Sequence, residues 1–354
     1  MAVSVTDFGT TKKGEQVHLY SLKNENGMEA VVSEYGAVLV KLIVPDKNDN
    51  PLDVVLGYDE VAGYEDNGIY LGATIGRNAN RIGKCRFMLN GTEYTLDKND
   101  GNNNLHGGFD GYNTRVWKAE ILEEGEEPSI RFSLESPDGD QGFPGKATVA
   151  VTYTVTAKNW LKLDYEAQSD KDTLMNLTNH SYFNLNGHKA DTILDQELWI
   201  NAESYTAADE ESIPTGDIVP VDNSPMDFRT MKPIGRDIEK DYEAIKFGAG
   251  YDHNYVLENK GQFKVVAKLD AKQSGISMEV ITDLPGMQLY TGNFLKGDKK
   301  GKENVYYKRR SGVCLETQYF PDAINHENFI PQILKAGELY KTTTAYRFTR
   351  SKER

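Results

Sequence analysis

The sequence contains few of the residues that build metal or disulfide sites. It has two cysteines in 354 residues, Cys85 and Cys314, and two cysteines cannot form a disulfide framework. Zinc sites usually contain two closely spaced ligands, as in His-x3-His, and no pair among the six histidines has such a spacing. The sequence therefore predicts no bound metal. A cysteine content this low is typical of a protein from the reducing cytoplasm.

Long apolar runs and an excess of positive charge are also absent. The apolar run 37–44 contains Lys41 and is much shorter than the roughly 20 residues that span a bilayer. Residues 1–7 have neither a basic start nor a long apolar stretch, so no secretion signal is predicted. The 40 basic and 54 acidic residues give a formal charge of −14, which repels the phosphate backbone of nucleic acids. We therefore expect a cytoplasmic protein with a small neutral ligand and with no membrane or nucleic-acid partner.

Several common catalytic motifs are missing as well. Segment 76–83 is rich in glycine and arginine, but it has neither a Gly-x-Gly-x-x-Gly order nor the Lys-Ser/Thr of a phosphate loop. Its Arg77 and Arg81 are explained equally well as partners of surface carboxylates. No Gly-x-Ser-x-Gly elbow occurs, so a Ser-His-Asp hydrolase has no support.

The dominant pattern is the period of two that is typical of β-strands. In segment 147–156 every second residue is large and apolar, namely Val149, Val151, Tyr153 and Val155. Asn-Gly pairs at 26–27 and 90–91 favour the tight turns that join adjacent strands. Segment 237–247 has room for a helical turn or two, and no long run keeps a 3.6-residue period. Because no linker or repeat divides the chain, residues 1–354 are predicted to form one all-β domain, a large antiparallel β-sandwich with few short helices.

Polar and aromatic residues crowd three of the histidines. Asparagine and glycine surround His106, Asn-His-Ser-Tyr-Phe-Asn contains His180, and Asp252 precedes His253. Amide, imidazole and carboxylate groups bind sugar hydroxyls, and aromatic rings cover the apolar face of a sugar. This composition favours a sugar over an apolar ligand, while a structural role for any single histidine stays open. Glu316 alternates with apolar neighbours on a predicted strand, so it either faces solvent or serves a site.

Eight short motifs follow one another along nearly the whole chain. They are the segments 76–82, 104–108, 142–145, 176–185, 225–229, 251–254, 285–293 and 314–318. Taken in this order, they resemble the aldose 1-epimerase (galactose mutarotase) family. The resemblance implies a single β-sandwich of the mutarotase type, the galactose mutarotase-like supersandwich, which agrees with the period of two.

The resemblance also implies an activity and a set of functional residues. The activity is the interconversion of the α and β anomers of free aldohexoses such as galactose and glucose. His180 resembles the general acid of the family and Glu316 its general base. Substrate-binding positions are matched by Arg81, His106 and Asp252, and further sugar contacts are implied for Asn80, Tyr182 and Gln288.

The chemistry of mutarotation suits such a pair. Opening the hemiacetal needs a proton on the ring oxygen and removal of the proton from the C1 hydroxyl, and we expect an acid and a base on opposite sides of the sugar. An ordinary imidazole with a pKa near 6.5 donates near neutrality, and an ordinary carboxylate with a pKa near 4.3 accepts. No electron or phosphoryl group moves, so no cofactor is predicted. For the oligomeric state we expect a monomer or a weak homodimer.

Three alternatives compete with this interpretation. A glycoside hydrolase needs two carboxylates about 5–9.5 Å apart, for which Glu316 and Asp252 are candidates. A non-catalytic sugar-binding module would lack the acid or the base, and both are present. A relative acting on hexose phosphates would need basic residues at the pocket rim, such as those at 308–310. Segment 298–310 as a whole is interpreted as an exposed, charged loop.

Overall fold

The computed structural model of the protein describes residues 3–66 and 68–351 and consists mainly of strands. The strands up to residue 179 are β1 Val3–Thr10, β2 Gln16–Lys23, β3 Glu29–Ser33, β4 Val38–Pro45, β5 Pro51–Asp53, β6 Thr74–Ile75, β7 Arg81–Ile82, β8 Arg86–Leu89, β9 Thr92–Thr95, β10 Asn104–Leu105, β11 Lys118–Glu123, β12 Ser129–Ser136, β13 Ala147–Val155, β14 Trp160–Ser169, β15 Thr173–Leu174 and β16 Thr178–Asn179. The later strands are β17 Glu197–Ile200, β18 Ser204–Ala208, β19 Pro214–Pro220, β20 Lys232–Pro233, β21 Asp252–Val256, β22 Lys264–Ala271, β23 Ile276–Thr282, β24 Gly286–Tyr290, β25 Lys296–Lys300, β26 Tyr306–Lys308, β27 Cys314–Gln318, β28 Ile333–Leu334 and β29 Leu339–Arg350. Two short α-helices, α1 Val61–Glu65 and α2 Glu243–Phe247, and six short 3₁₀ turns complete the regular structure of the described residues. Neither α-helix is long and apolar enough to cross a membrane.

Three large sheets make up the body of the molecule. The first has the order β1-β2-β3-β4-β5, and the largest has the order β11-β12-β13-β14-β29-β23-β22-β17-β20. The third, called the site sheet below, has the order β19-β18-β21-β24-β27. Neighbouring strands in all three sheets are antiparallel. The prediction of an antiparallel all-β protein with few short helices is therefore confirmed.

Local sequence explains the strands and their turns. The alternating large residues of β13 are all buried, whereas Thr148 on the opposite face is exposed. Asn90 and Gly91 both have positive φ, 52° and 78°, in the two-residue turn between β8 and β9. These values fit the turn that an Asn-Gly pair favours, because positive φ costs little at these two residue types. The pair at 26–27 lies in a longer connection, residues 24–28, that joins the antiparallel strands β2 and β3. Both predicted connections between adjacent strands are confirmed, and the one at 90–91 is the tight two-residue turn.

One apolar core connects the three sheets. Its buried members include Leu39 from the first sheet, Tyr153 from the largest sheet and Leu315 from the site sheet. The hydroxyl of Tyr153 donates to the carbonyl of Ala37 at 2.7 Å, so even the polar end of this ring is paired. Burial of this continuous apolar surface is the main stabilising contribution to the fold.

The charged segment 298–310 is not simply an exposed loop. β25 and β26 pair as a hairpin, and Lys302 between them is only 1% exposed. Its ammonium donates to Asp53 at 2.6 Å and to the carbonyl of Val40 at 2.7 Å. Arg310 is buried as well and contacts Glu239. The prediction of exposure is wrong for these two cations because carbonyl and carboxylate groups compensate their desolvation.

Arg77 is another buried cation, and it anchors the segment that leads into the candidate site. Its guanidinium donates to the carbonyls of Pro144 and Gly145 at 2.7 and 2.9 Å and to the hydroxyl of Ser136 at 2.6 Å. It therefore does not pair with a surface carboxylate, although Arg81 does contact Asp100. Two of the motifs in the sequence, 76–82 and 142–145, thus meet through one side chain.

We predict that Arg77→Met lowers the free energy of unfolding by roughly 3 kcal/mol, because it leaves buried carbonyl and hydroxyl groups without a donor. Urea unfolding followed by tryptophan fluorescence measures the change. Arg86→Met is the control, since the Arg86 side chain is 57% exposed and lies 3.9 Å from Glu93. Equal losses of stability in the two variants would contradict an anchoring role for Arg77.

Candidate active site

The floor of the candidate site is one face of the site sheet. Gln288 in β24 lies directly opposite Glu316 in β27, and Asp252 in β21 lies directly opposite Tyr290 in β24. Directly opposed residues in an antiparallel pair place their side chains on the same face. Leu315 points to the other face and belongs to the apolar core. The predicted alternation along β27 is confirmed, and Glu316 is buried rather than turned to solvent.

Two short ladders place further polar side chains above this floor. β16 pairs with β6, and the backbone N–H of His180, just after β16, donates to the carbonyl of Ala73 at 2.9 Å. β7 pairs with β10, which sets Arg81 opposite Leu105 and next to His106. Together these elements enclose a cavity of about 160 Å³. All eight residues selected from the sequence line it: Asn80, Arg81, His106, His180, Tyr182, Asp252, Gln288 and Glu316.

His180 and Glu316 lie side by side in this cavity. Nε2 of His180 is 3.6 Å from Oε1 of Glu316, and the two side chains are only 6% and 3% exposed. The expectation that these groups lie on opposite sides of a sugar is therefore wrong, because they approach a ligand from the same edge. Groups at this separation can reach two oxygens that are bonded to one carbon.

Burial shifts the pKa values of this pair in opposite directions. It raises the pKa of Glu316 well above the usual 4.5, and the nearby charge of Asp252 raises it further, whereas Arg81 lowers it. Burial lowers the pKa of His180 to about 4. In water an imidazole binds a proton more tightly than a carboxylate does. The opposed shifts weaken that preference, because burial disfavours the charged form of both groups.

Hydrogen bonds orient the polar groups around the pair. Nε of Arg81 donates to Asp100 at 2.7 Å, and Nε2 of Gln288 donates to Asp252 at 2.7 Å. Two buried oxygens, Oε2 of Glu316 and Oε1 of Gln288, have no hydrogen-bond partner among the described residues. Because buried polar atoms are normally paired, both are suited to accept hydrogen bonds from the hydroxyls of a ligand.

Three side chains in the cavity lie close enough together to hold a metal ion. The possible ligand atoms of His106, His180 and Glu316 are within 4.8 Å of one another. However, the backbone N–H of Asn80 donates to Nδ1 of His106 at 3.1 Å. A ring nitrogen that accepts a hydrogen bond carries no proton, so neutral His106 holds its proton on Nε2. A metal-bound histidine instead donates its second ring N–H to an acceptor. This cluster is therefore arranged to donate a hydrogen bond from His106 rather than to coordinate a metal through it.

Six residues that were not predicted as site residues from the sequence also line the cavity: Gly68, Ile69, Tyr70, Leu105, Tyr290 and Phe294. The Tyr70 ring lies 4.6 Å from the ring of His106 and 5.7 Å from that of His180. Its φ of 59° is unusual for a bulky residue. Phe294 is 55% exposed at the cavity opening and stacks on Tyr290. Neither Tyr70 nor Phe294 lies in a sequence pattern that identifies it as part of the wall of a site.

Known proteins are similar to this chain in sequence and in architecture. The sequence model of the aldose 1-epimerase family matches residues 18–347. Galactose mutarotase from Mus musculus is 40% identical over 350 residues, with 99% of each chain covered, and aldose 1-epimerase from Escherichia coli is 36% identical over 340 residues, with 95% and 96% covered. Among solved structures, galactose 1-epimerase from Lactobacillus acidophilus has a TM-score of 0.88 at 27% identity, with 99% of each chain covered. With a family match over most of its length and relatives this similar, the chain belongs to the aldose 1-epimerase family.

Proposed function

We propose that this protein is a mutarotase that interconverts the α and β anomers of free aldohexoses such as galactose and glucose. The observation that carries the proposal is the buried His180–Glu316 pair, which faces a cavity lined with groups that bind hydroxyls. The names of the family relatives, galactose mutarotase and aldose 1-epimerase, support the same activity. Both anomers are ring forms of one sugar, so the reaction consists of opening and closing a hemiacetal.

In the ring-opening step, Glu316 acts as general base and His180 as general acid. The carboxylate removes the proton of the C1 hydroxyl, while the imidazolium donates its Nε2 proton to the ring oxygen. Both oxygens are bonded to C1, which explains how two groups only 3.6 Å apart serve both transfers from one edge. The C1–ring oxygen bond breaks, and an aldehyde and a free hydroxyl result. The step starts from the charged form of the pair, which the charge of Arg81 favours at Glu316, and ends in the neutral form, which burial favours.

Ring closure on the other face reverses these transfers. The aldehyde turns about the C1–C2 bond, His180 accepts the proton of the attacking hydroxyl, and Glu316 returns its proton to the former carbonyl oxygen. Arg81 and His106 bind hydroxyls elsewhere on the sugar and keep C1 beside the catalytic pair during this turn. Asn80, Tyr182, Asp252 and Gln288 provide the remaining contacts. Every transfer moves a proton only, so the cycle begins and ends with the same enzyme form.

The alternative substrates and reactions are less well supported. Among the described residues that line the cavity, Arg81 is the one cation, and it is already paired with Asp100. Lys308, Arg309 and Arg310 do not line the cavity, so a hexose phosphate finds no dedicated phosphate site there. For a glycoside hydrolase, Glu316 and Asp252 do share the cavity, and release of nitrophenol from a nitrophenyl galactoside distinguishes that activity from mutarotation.

We also propose that residues 1–354 form a single domain that acts in the cytoplasm as a monomer or weak homodimer. The apolar core shared by the three large sheets supports the single domain, because buried residues of all three belong to one cluster. The low cysteine content supports a reducing compartment.

We predict that His180→Asn and Glu316→Gln each lower kcat by about 10²–10⁴-fold while the fold is retained, because each removes one proton transfer. Polarimetry of freshly dissolved α-D-glucose measures the rate above the spontaneous one. His18→Asn and Glu327→Gln are matched controls outside the cavity. Near-full activity in either cavity variant removes that residue from its proposed role.

We predict that the carboxyl group of Glu316 stays protonated at a pH at which ordinary glutamates are ionised. Burial and the charge of Asp252 both disfavour the carboxylate, so its pKa lies above 4.5. Infrared difference spectra across a pH titration detect the protonated carboxyl, and Glu316→Gln identifies its band. In Asp252→Asn the pKa of Glu316 should fall, since a like charge is removed. A band that titrates at or below pH 4.5 contradicts this electrostatic account.

We predict that Tyr70→Ala raises KM for galactose roughly fivefold, with a smaller change in kcat. The ring forms part of the wall beside both histidines, and an aromatic contact contributes about 1 kcal/mol. Polarimetric rates over a range of sugar concentrations give both constants. Tyr306→Ala, at a 45% exposed position on β26, is the control. An unchanged KM in Tyr70→Ala shows that this ring does not contact the sugar.

A further inference from the structure

A buried thiol lies behind the imidazole of His180. Sγ of Cys314 is 3.5 Å from Nδ1 of His180, a hydrogen-bond distance for sulfur. Cys314 is fully buried at the start of β27 and, two residues before Glu316, lies on the same face of the site sheet. Nδ1 thus meets the thiol, while Nε2 faces Glu316. One strand therefore contacts both nitrogens of the same ring.

The chemistry of the thiol determines what this contact does. Burial, together with the charges of Glu316 and Asp252, raises the pKa of Cys314 well above its usual value, so the group remains S–H. A thiol is a weak donor and a weak acceptor. Towards a neutral imidazole it donates to Nδ1, which leaves the ring proton on Nε2. Towards an imidazolium the same sulfur accepts from Nδ1–H, so one partner serves both proton states of the ring.

We propose that Cys314 is a positioning residue for His180: its thiol binds Nδ1 and holds the imidazole so that Nε2–H points at the ring oxygen of the sugar. This inference rests on the proposed function, because it assigns Cys314 the orientation of the acid. The geometry parallels that of His106, whose Nδ1 accepts from the backbone of Asn80. Both histidines then present Nε2–H to the cavity, one directed by a backbone amide and the other by a side chain.

The first test is the tautomer of His180 in the free wild-type protein. In ¹⁵N-labelled protein, long-range ¹H–¹⁵N spectra report which ring nitrogen carries the proton, and His180→Asn assigns the signals. We expect Nε2–H. The Nδ1–H tautomer overturns the proposal, and this measurement requires neither catalysis nor a variant of Cys314. The tautomer measurement therefore tests the orientation of His180 even where a Cys314 variant does not fold.

The second test compares Cys314→Ala with Cys314→Ser, which differ by one hydroxyl. We expect kcat to fall roughly 3–10-fold in the alanine variant, with KM little changed, and to recover at least in part in the serine variant. Cys85→Ala is the control for loss of a buried thiol outside the cavity. Wild-type kcat and an unchanged tautomer in Cys314→Ala overturn the proposal. Absence of mutarotation in the wild-type protein instead contradicts the proposed function, while the tautomer of His180 still tests whether Cys314 orients the ring.

Discussion

The burial of His180 beside Glu316 is the constraint on which the rest of the site depends. At 3.6 Å in a cavity with little access to water, neither group is stable as an isolated charge. Burial therefore shifts their pKa values in opposite directions and favours the neutral form of both groups. The same residues on an exposed surface would keep ordinary pKa values, and the proton would stay on the imidazole. The proposed chemistry follows from this burial rather than from unusual residue types.

The register of the site sheet creates that environment. Gln288 beside Glu316, and Tyr290 beside Asp252, form the polar floor, while the opposite face belongs to the core. A slip of one residue in β27 would bury the carboxylate among apolar side chains and turn Leu315 into the cavity. The stability of the sheet and the geometry of the site are therefore determined by the same strand pairing.

The period of two predicted strands, and the family resemblance implied the polar residues that share the cavity, but neither gave the distances between them. The expectation that His180 and Glu316 lie on opposite sides of a sugar was wrong, because residues 136 positions apart in the sequence carry no information about their final spacing. Lys302 was also predicted to be exposed, and the burial of Arg77 was not predicted. Their partners, the carbonyl of Pro144 and the carboxylate of Asp53, come from distant parts of the chain and compensate a burial that composition alone disfavours.

The sequence by itself determined the alternating faces of strands such as β13 and the side of β27 on which Glu316 projects, because the direction of a side chain along a strand depends only on alternation. Tertiary structure alone decided the tautomer of His106, the pKa of Glu316 and the place of Tyr70 in the wall of the cavity. Each of these depends on a group from another segment: a backbone amide, a neighbouring charge, or the two imidazoles that one ring contacts. Such proximity is created by folding, so it cannot be present in the order of the residues.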